Sequence, residues 1–449
     1  MRPLDVVGDF AESLTWSAIP AATRERAQLA LRDTLGTILG GATTSAGRVA
    51  TATAQRAGGT TPIAGTTATS TPPLAAFASA VNASALDFDD GHYRGGAIHP
   101  ASVIVPCLLV AAHDCDTDLH TFLTAQVVGY EIGLRAAHLL WPRHPLDDYH
   151  CTGTAATLGA AAAVAKLRGA DGECIARAVA VAWAHAPMST FQLPMVKESI
   201  GWSAATGLFA ADLAAAGFMA VPHPAMSAID ATFAPTPFDR PGAMDDPFVA
   251  TLGTVFEANN TYFKPYAACR YTHTAIRSLQ DVMSENGLCA AGIEAVEVHT
   301  HRGAMNLSDQ RPVSLDHGQY SFPFVLSAVM CTGDAGAIEI SESALDDRAR
   351  LTEAAKVTVH HGPEFDTNYP AHYGTRIVVR TIDGRRLERT RLVAPGDPAD
   401  PMSVEDLTAK FIRLAEPVHG DAAVALAGHL IDPDVQGSLA TVLLPTSTT

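Results

Sequence analysis

Residues 87–100 read DFDDGHYRGGAIHP, and this short stretch carries three carboxylates, two imidazoles and one guanidinium. Apolar runs lie on both sides of it, from Ala75 to Leu86 and from Val103 to Ala112. Its glycines and Pro100 prevent one continuous helix from joining the two runs. The pattern therefore predicts a charged loop held between two apolar helices at the edge of a core, a placement that indicates chemistry.

The first part of the chain has the spacing of a helical domain. A chain of 449 residues is too long for a single hydrophobic core, so we predict two domains. Apolar residues recur at helical spacing from Ala27 to Leu39, and Gly40 and Gly41 stop the pattern. Residues 42–72 are rich in Thr, Ala, Ser and Gly, and we expect loops there. Further helices are predicted at 73–86, 101–113, 118–140, 152–167, 171–186 and 202–216.

Beyond a proline-rich stretch at 220–262, strands and helices mix. Helices are predicted near 266–285 and 321–332, with a last one from Val404 to Leu414. Alternating residues predict strands at 296–300, 356–360, 376–380 and 389–392, the last two forming a hairpin around Asp383-Gly384. The fold class is therefore mainly α with α+β, with a helical domain at 1–262 and an α+β domain at 263–394.

Charge and cysteine usage exclude several classes of function. The formal net charge of −17 makes the chain a poor nucleic-acid binder, and any anion must be held by cations gathered locally. The seven cysteines are scattered without a C-x-x-C pair, which indicates reduced thiols and a cytoplasmic location. We expect no signal peptide, and the apolar runs are shorter than the roughly 20 residues of a membrane helix.

The loop at 87–100 offers two kinds of chemistry. Its carboxylates and imidazoles are typical metal ligands. The same side chains can form an acid–base pair, because the unperturbed pKa of histidine lies nearest neutrality. A solvated loop that caps a helix is the plain alternative. The residues concerned are Asp87, Asp89, Asp90, His92 and His99.

Three later segments carry basic or imidazole side chains. The first two precede predicted helices, whose positive ends attract anions, and the third lies at the start of the second domain. They contain His150, then Lys197, and then Lys264, Arg270 and His273. The plain alternatives are a capping segment, a surface lysine paired with its neighbouring glutamate, and a hinge with incidental charge. No P-loop, H-E-x-x-H or G-x-S-x-G motif is present, which argues against nucleotide cofactors and the common hydrolases.

Taken together and in order, these segments resemble the MmgE/PrpD family, which includes 2-methylcitrate dehydratase, cis-aconitate decarboxylase and iminodisuccinate epimerase. The motifs that carry the resemblance are spread over nearly the whole chain. They are Asn82 with Asp87-Phe88-Asp89-Asp90 and His99-Pro100, His150 with Thr152-Gly153-Thr154, Lys197-Glu198 with Trp202, Phe263-Lys264-Pro265-Tyr266 with Cys269-Arg270 and His273, Gln319-Tyr320-Ser321 with Pro323-Phe324, and Pro395-Gly396-Asp397-Pro398 with Lys410-Phe411.

The resemblance implies a homodimer. Each subunit would have a large all-helical domain, residues 1–262 completed by 395–449, and a smaller α+β lid domain, with the site in the cleft between them. It implies a small carboxylate substrate, no metal and no organic cofactor. Carried over residue by residue, it implies Asp87, His99, His150, Lys197, Lys264 and His273 as catalytic residues, and we expect Arg270, Asp90 and His92 to bind substrate.

These residue types suit the removal of a proton next to a carboxylate. Cations aimed at that carboxylate would spread the developing charge as an enediolate, and we expect Lys197, Lys264 and Arg270 in this role. His99 and His150 would act as base and acid, in an order that the sequence leaves open. The prediction is a cofactor-independent lyase of the dehydratase type that acts on a small hydroxylated di- or tricarboxylate.

Three alternatives stay open on the sequence. A decarboxylase or an epimerase of a related polycarboxylate would use the same intermediate. A metal-dependent hydrolase would be built on Asp87, Asp89, Asp90 and His92. A catalytically inactive relative would bind such an acid without converting it.

Overall fold

The computed structural model of the protein describes residues 2–95, 98–115, 117–141, 151–188, 199–219 and 236–429. The chain divides into two compact units. The first contains residues 1–85, 89–261 and 404–449, and the second contains residues 86–88 and 262–403. The charged loop is shared between the units along the chain, because Asp87 belongs to the second unit and the chain returns to the first at Asp89.

Helices packed against one another build the first unit, and small residues let them approach closely. A Cβ atom added at Gly159 would lie 2.5 Å from the carbonyl oxygen of Gly129 on the neighbouring helix. The helices predicted between 73 and 216 are confirmed to within two residues at each end. The elements are α1 Pro3–Ser13, α2 Ala21–Gly41, α3 Ser45–Gln55, β1 Thr61–Pro62, β2 Thr69–Ser70, α4 Pro72–Ser84, α5 Ala101–His113, α6 Leu119–Leu140, α7 Thr152–Leu167, α8 Gly172–His185 and α9 Ile200–Ala215.

One prediction for this unit is wrong, because residues 42–72 contain a helix, α3, and the short antiparallel pair β1 and β2. The Thr44 side chain caps α3 by accepting a hydrogen bond from the backbone N–H of Gly47 at 3.1 Å. The buried residues of α3 are all Ala or Gly. The helix therefore lacks the large apolar stripe by which a helical pattern is recognised.

The second unit is a four-stranded sheet with helices, and its strands lie where the alternating pattern predicted them. The helix predicted near 266–285 begins only at His273. The strand order is β4-β3-β5-β6, with β3 and β4 parallel and the other pairs antiparallel. The predicted hairpin is confirmed, and Gly384 takes the left-handed conformation in its turn. The elements are α10 His273–Asn286, β3 Ile293–Thr300, α11 Leu315–Gln319, α12 Phe322–Thr332, α13 Arg348–Ala354, β4 Val357–His361, β5 Thr375–Thr381 and β6 Arg386–Arg391. The fold class, mainly α with α+β, is confirmed.

The chain then returns to the first unit with α14 Val404–His419 and α15 Ala422–His429. The α14 helix packs on α2, where the ammonium of Lys410 lies 2.7 Å from Oδ1 of Asp33. Both side chains are buried, so each charge depends on the other for compensation. The last described helices are therefore part of the core of the first unit.

Across the described residues, no helix combines the length and the apolar character needed to cross a membrane.

Candidate active site

Seven of the nine predicted site residues lie in the described part of the chain, in two groups, one in each unit. His150 and Lys197 lie outside the described residues. We call the set of residues in the first unit the imidazole group and the set in the second unit the cation group. The imidazole group is Asp89, Asp90, His92, His99, Tyr130 and Glu257, and the cation group is Asp87, Lys264, Arg270, His273 and Asp397.

His99 is held at the entry to α5, and its ring is almost fully buried. Its Nδ1 lies 2.6 Å from the backbone carbonyl oxygen of Asp90 and 3.7 Å from Oδ2 of Asp89. Because a carbonyl oxygen can only accept, Nδ1 carries the proton and the lone pair of the neutral ring lies on Nε2. His99 therefore has the tautomer that a general base acting through Nε2 requires.

Asp90 joins His99 to two helices. Its Oδ1 accepts a hydrogen bond from the backbone N–H of Ala101 on α5 at 3.1 Å, and its Oδ2 accepts one from the hydroxyl of Tyr130 on α6 at 2.7 Å. Burial raises the pKa of Asp90 to about 7, although the hydrogen bond from Tyr130 opposes the rise. Protein donors bind both oxygens of the Asp90 carboxyl, and the expected role of Asp90 in binding substrate stays a prediction.

The raised pKa of Asp90 predicts a pH-dependent stability. Between pH 4 and about 7 the folded protein holds a proton on Asp90 that the unfolded chain has released, so rising pH lowers stability in this window. We expect the free energy of unfolding of the wild type, minus that of Asp90→Asn, to fall by at most about 1.4 kcal/mol per pH unit there and to level off above it. Urea titrations at several pH values measure this difference, and parallel curves for the two proteins would contradict the prediction.

His92 and Glu257 form a second buried contact in the first unit. Nε2 of His92 lies 3.4 Å from Oε2 of Glu257. Burial lowers the pKa of His92 despite this neighbour. Burial also acts to raise the pKa of Glu257, but the interactions of this carboxylate with His92, Asn260 and Arg135 together outweigh burial and lower it. The carboxylate of Glu131 on α6 accepts the backbone N–H of Glu257 at 3.1 Å and so positions the turn. His92 therefore lies beside a buried carboxylate, and its expected role in binding substrate stays a prediction.

The cation group begins with a buried ion pair. The ammonium of Lys264 donates to Oδ1 of Asp87 at 2.8 Å and to the carbonyl oxygen of Asp87 at 2.9 Å. Asp87 has a left-handed φ of 47°, which is uncommon outside glycine and is often found at functional sites. The carboxylate of Asp87 contacts Lys264, and Asp89 is the carboxylate beside His99. That Asp87 orients an imidazole stays a prediction.

Arg270 and His273 are held at the start of α10. Nη1 of Arg270 donates to the carbonyl oxygen of Pro395 at 2.9 Å and to Nδ1 of His273 at 3.0 Å, and Nη2 pairs with Asp397. Because a guanidinium only donates, Nδ1 of His273 accepts, and its Nε2 donates to the carbonyl oxygen of Ala268 at 3.0 Å. Both ring nitrogens of His273 therefore bind within the protein.

The residues that anchor these groups were missed as site members. Asp397 pairs with Arg270, and its neighbour Gly396 has φ 89° and accepts the backbone N–H of Phe263 at 3.1 Å. A Cβ atom at Gly396 would lie 1.9 Å from the carbonyl oxygen of Phe263, so only glycine fits. The Pro395-Gly396-Asp397-Pro398 motif in the sequence could have identified Gly396 and Asp397 as site residues. Tyr130 and Glu257 carry no such signal, because each lies far from its partner along the chain.

The geometry does not favour the metal site that the loop offered as an alternative. Within the described ranges, no three His, Cys, Asp or Glu side chains come together as metal ligands. Asp87 pairs with Lys264, Asp90 accepts from Tyr130, and Asp89 accepts from the hydroxyl of Ser84 at 3.3 Å. These carboxylates are therefore oriented by protein donors.

Comparison with known families decides the relationship. The MmgE/PrpD N-terminal domain matches residues 6–238, and the MmgE/PrpD C-terminal domain matches residues 266–429. The chain belongs to the MmgE/PrpD family. No curated protein sequence matches it. The MmgE/PrpD family is generally enzymatic and dehydratase-like, and membership points to activity on carboxylates.

Proposed function

We propose that this MmgE/PrpD protein is a cofactor-independent lyase of the dehydratase type, and that it acts on a small hydroxylated di- or tricarboxylate through an enediolate-like intermediate. The observation that carries the proposal is the geometry of His99. Because Nδ1 donates to a backbone carbonyl, the neutral form of this buried imidazole has its lone pair on Nε2, where it can accept a proton from carbon.

The reaction needs a base, an acid and positive charge. His99 removes the proton next to a substrate carboxylate, and a second imidazole, His150, returns a proton to the departing hydroxyl. General acid–base help of this kind is typically worth about 10²–10⁴-fold. The electron pair from the broken C–H bond spreads into the carboxylate and then forms the double bond as water leaves.

The proposal assigns the cations two kinds of role. Lys264 and Arg270 direct their charge at Asp87 and Asp397, so they position the loops that carry the site. We assign the charge that faces the substrate carboxylate to Lys197, because the chain is strongly acidic and must bind an anion with local cations. His273 is likewise a positioning residue, since both its ring nitrogens bind protein atoms.

The two groups meet along the chain at residues 87–89. Phe88 alone separates Asp87 of the cation group from Asp89 of the imidazole group. The proposal draws residues from both groups, and this link along the chain is what supports it.

The function is tested by incubating the purified protein with a panel of hydroxylated di- and tricarboxylates and following the products by mass spectrometry. Loss of water supports the dehydratase. Loss of carbon dioxide, or a new stereoisomer of unchanged mass, replaces dehydration by decarboxylation or epimerisation. Activity that a chelator abolishes and a divalent ion restores indicates the metal-dependent hydrolase. Ligand-induced thermal stabilisation without any product indicates an inactive binding relative.

We include a homodimer in the proposal. Trp202 and Phe209 stand two turns apart on α9, with 59% and 52% of their surfaces exposed. Large exposed apolar side chains on one helical face are typical of surfaces that bind another protein. Sedimentation equilibrium is expected to give twice the mass of the chain, and the double variant Trp202→Ser, Phe209→Ser is expected to dissociate at higher concentration. A wild type that is monomeric at micromolar concentration would overturn this part of the proposal.

A further inference from the structure

Tyr130 is a buried tyrosine that no step of the proposed reaction uses. It lies in the middle of α6, and only 2% of its surface is exposed. Its hydroxyl donates to Oδ2 of Asp90 at 2.7 Å. Burial raises the pKa of this phenol well above its ordinary value, so the hydroxyl keeps its proton and acts as a donor at neutral pH.

A short chain of hydrogen bonds leads from this hydroxyl to the His99 ring. Tyr130 and the backbone N–H of Ala101 bind the two carboxyl oxygens of Asp90, one from each of two helices. The same residue offers its backbone carbonyl oxygen to Nδ1 of His99 at 2.6 Å. Because both carboxyl oxygens of Asp90 are hydrogen-bonded, the orientation of its backbone carbonyl is fixed. That carbonyl oxygen accepts the hydrogen bond from Nδ1–H of His99.

The ring has a second acceptor within reach. Oδ2 of Asp89 lies 3.7 Å from Nδ1 of His99. A proton shared with this carboxylate instead of the carbonyl would favour the charged imidazolium, because an adjacent anion stabilises it. The charged and titratable groups that act on Asp90 are Asp89 on its own loop, Tyr130 on α6, and Asp33 and Arg26 on α2. Asp33 and Arg26 act on Tyr130 as well. Which acceptor Nδ1 uses therefore decides whether His99 is neutral.

We propose that Tyr130 is a positioning residue for His99 that acts through Asp90, since its hydroxyl holds the Asp90 carbonyl where Nδ1 of His99 donates to it. Tyr130 thereby keeps the ring neutral, with its lone pair on Nε2. The part of this inference that concerns turnover rests on the proposed function.

Tyr130→Phe tests the turnover part. We expect kcat to fall about 10–100-fold, by analogy with the loss of a hydrogen-bond partner that orients a metal-ligating histidine. KM is expected to change less than about 2-fold, because the proposal places no contact between Tyr130 and substrate. The acid limb of the pH–kcat profile is expected to move to higher pH, because His99 shifts towards Asp89. Tyr373, another tyrosine that is 2% exposed, provides the matched control, and Tyr373→Phe is expected to leave kcat and the profile unchanged.

A double-variant cycle tests whether Tyr130 acts through Asp90. If it does, Tyr130→Phe has little further effect on kcat once Asp90→Asn is present. Effects that simply multiply in the double variant, or an unchanged kcat in the single variant, would overturn the inference.

A measurement that needs no activity separates this inference from the proposed function. Nitrogen chemical shifts of ¹⁵N-labelled histidine, assigned by the signal lost in His99→Asn, report which ring nitrogen is protonated. We expect the wild type to show the Nδ1–H tautomer of His99, and Tyr130→Phe to show a mixture or the imidazolium at the same pH. A wild type with the Nε2–H tautomer overturns the inference even if the enzyme is active, and even if Tyr130→Phe does not fold.

Discussion

Replacing Lys264 by Met is expected to lower the free energy of unfolding by about 3–5 kcal/mol. The Met side chain is similar in length, but it leaves the buried carboxylate of Asp87 without the ammonium that compensates its charge. It also removes the donor to the carbonyl oxygen of Asp87, at a residue whose backbone is left-handed. Chemical denaturation followed by circular dichroism measures the loss.

The chain contains a matched control for this variant. Lys356 also binds one carboxylate, Glu353 at 2.8 Å, and one backbone carbonyl, that of Ala290 at 3.1 Å, but its side chain is 23% exposed. Because water screens such a pair, Lys356→Met is expected to cost less than about 1 kcal/mol. Equal losses for the two variants would contradict the role assigned to burial.

A second substitution tests whether the loss of stability in Lys264→Met comes from the charge of Asp87 or from the altered side-chain shape. In the Lys264→Met background, Asp87→Asn removes the uncompensated charge, and Asn tolerates a left-handed φ better than most residues. We expect the double variant to recover part of the lost stability. A double variant less stable than Lys264→Met alone would show that the ion pair is not the source of the effect.

His99→Asn is expected to lower kcat by about 10²–10⁴-fold with little change in stability. Asn retains a side-chain N–H near the position of Nδ1, so it can still donate to the carbonyl oxygen of Asp90, while the Nε2 lone pair is lost. The measurement is turnover of whichever acid the product scan identifies, together with the melting temperature of each variant.

His185→Asn is the control for His99→Asn. His185 lies in the same unit, and its Nδ1 is 2.9 Å from the backbone carbonyl oxygen of Val181, a contact of the same kind. Its ring has no role in the proposed reaction, so kcat is expected to stay within about 2-fold of the wild type. Full turnover by His99→Asn in a folded protein would remove His99 from the site.

The parts of the fold that depend on local pattern were predictable. The helices from α4 to α9 follow apolar periodicity, and the β5–β6 hairpin follows alternation around Asp383-Gly384. The α3 helix was missed because its buried face consists of Ala and Gly, whose burial leaves little trace in a hydrophobic pattern. The spacing of large apolar residues shows which face of a helix is buried. It does not show where small residues allow two helices to pack closely.

Some residues of the candidate site were predictable from local sequence, and others were not. His99 and Lys264 were found because each stands in a stretch dense with charged or imidazole side chains. Tyr130 and Glu257 were not found, since a single polar residue in an apolar helix or a turn has many plain explanations. Their importance comes from pairs such as Tyr130 with Asp90, which are separated by 40 residues and joined only by packing. Long-range pairing of this kind is a property of tertiary structure.

The return of α14 to the first unit has a consequence for how the protein is made. The second unit consists of one continuous segment, residues 262–403, and the short segment 86–88. All of it is therefore present in the nascent chain before α14 is translated. The carboxylate of Asp33 emerges from the ribosome early, but its partner Lys410 emerges almost four hundred codons later. During synthesis the N-terminal helices therefore lack one part of their core until α14 has been translated.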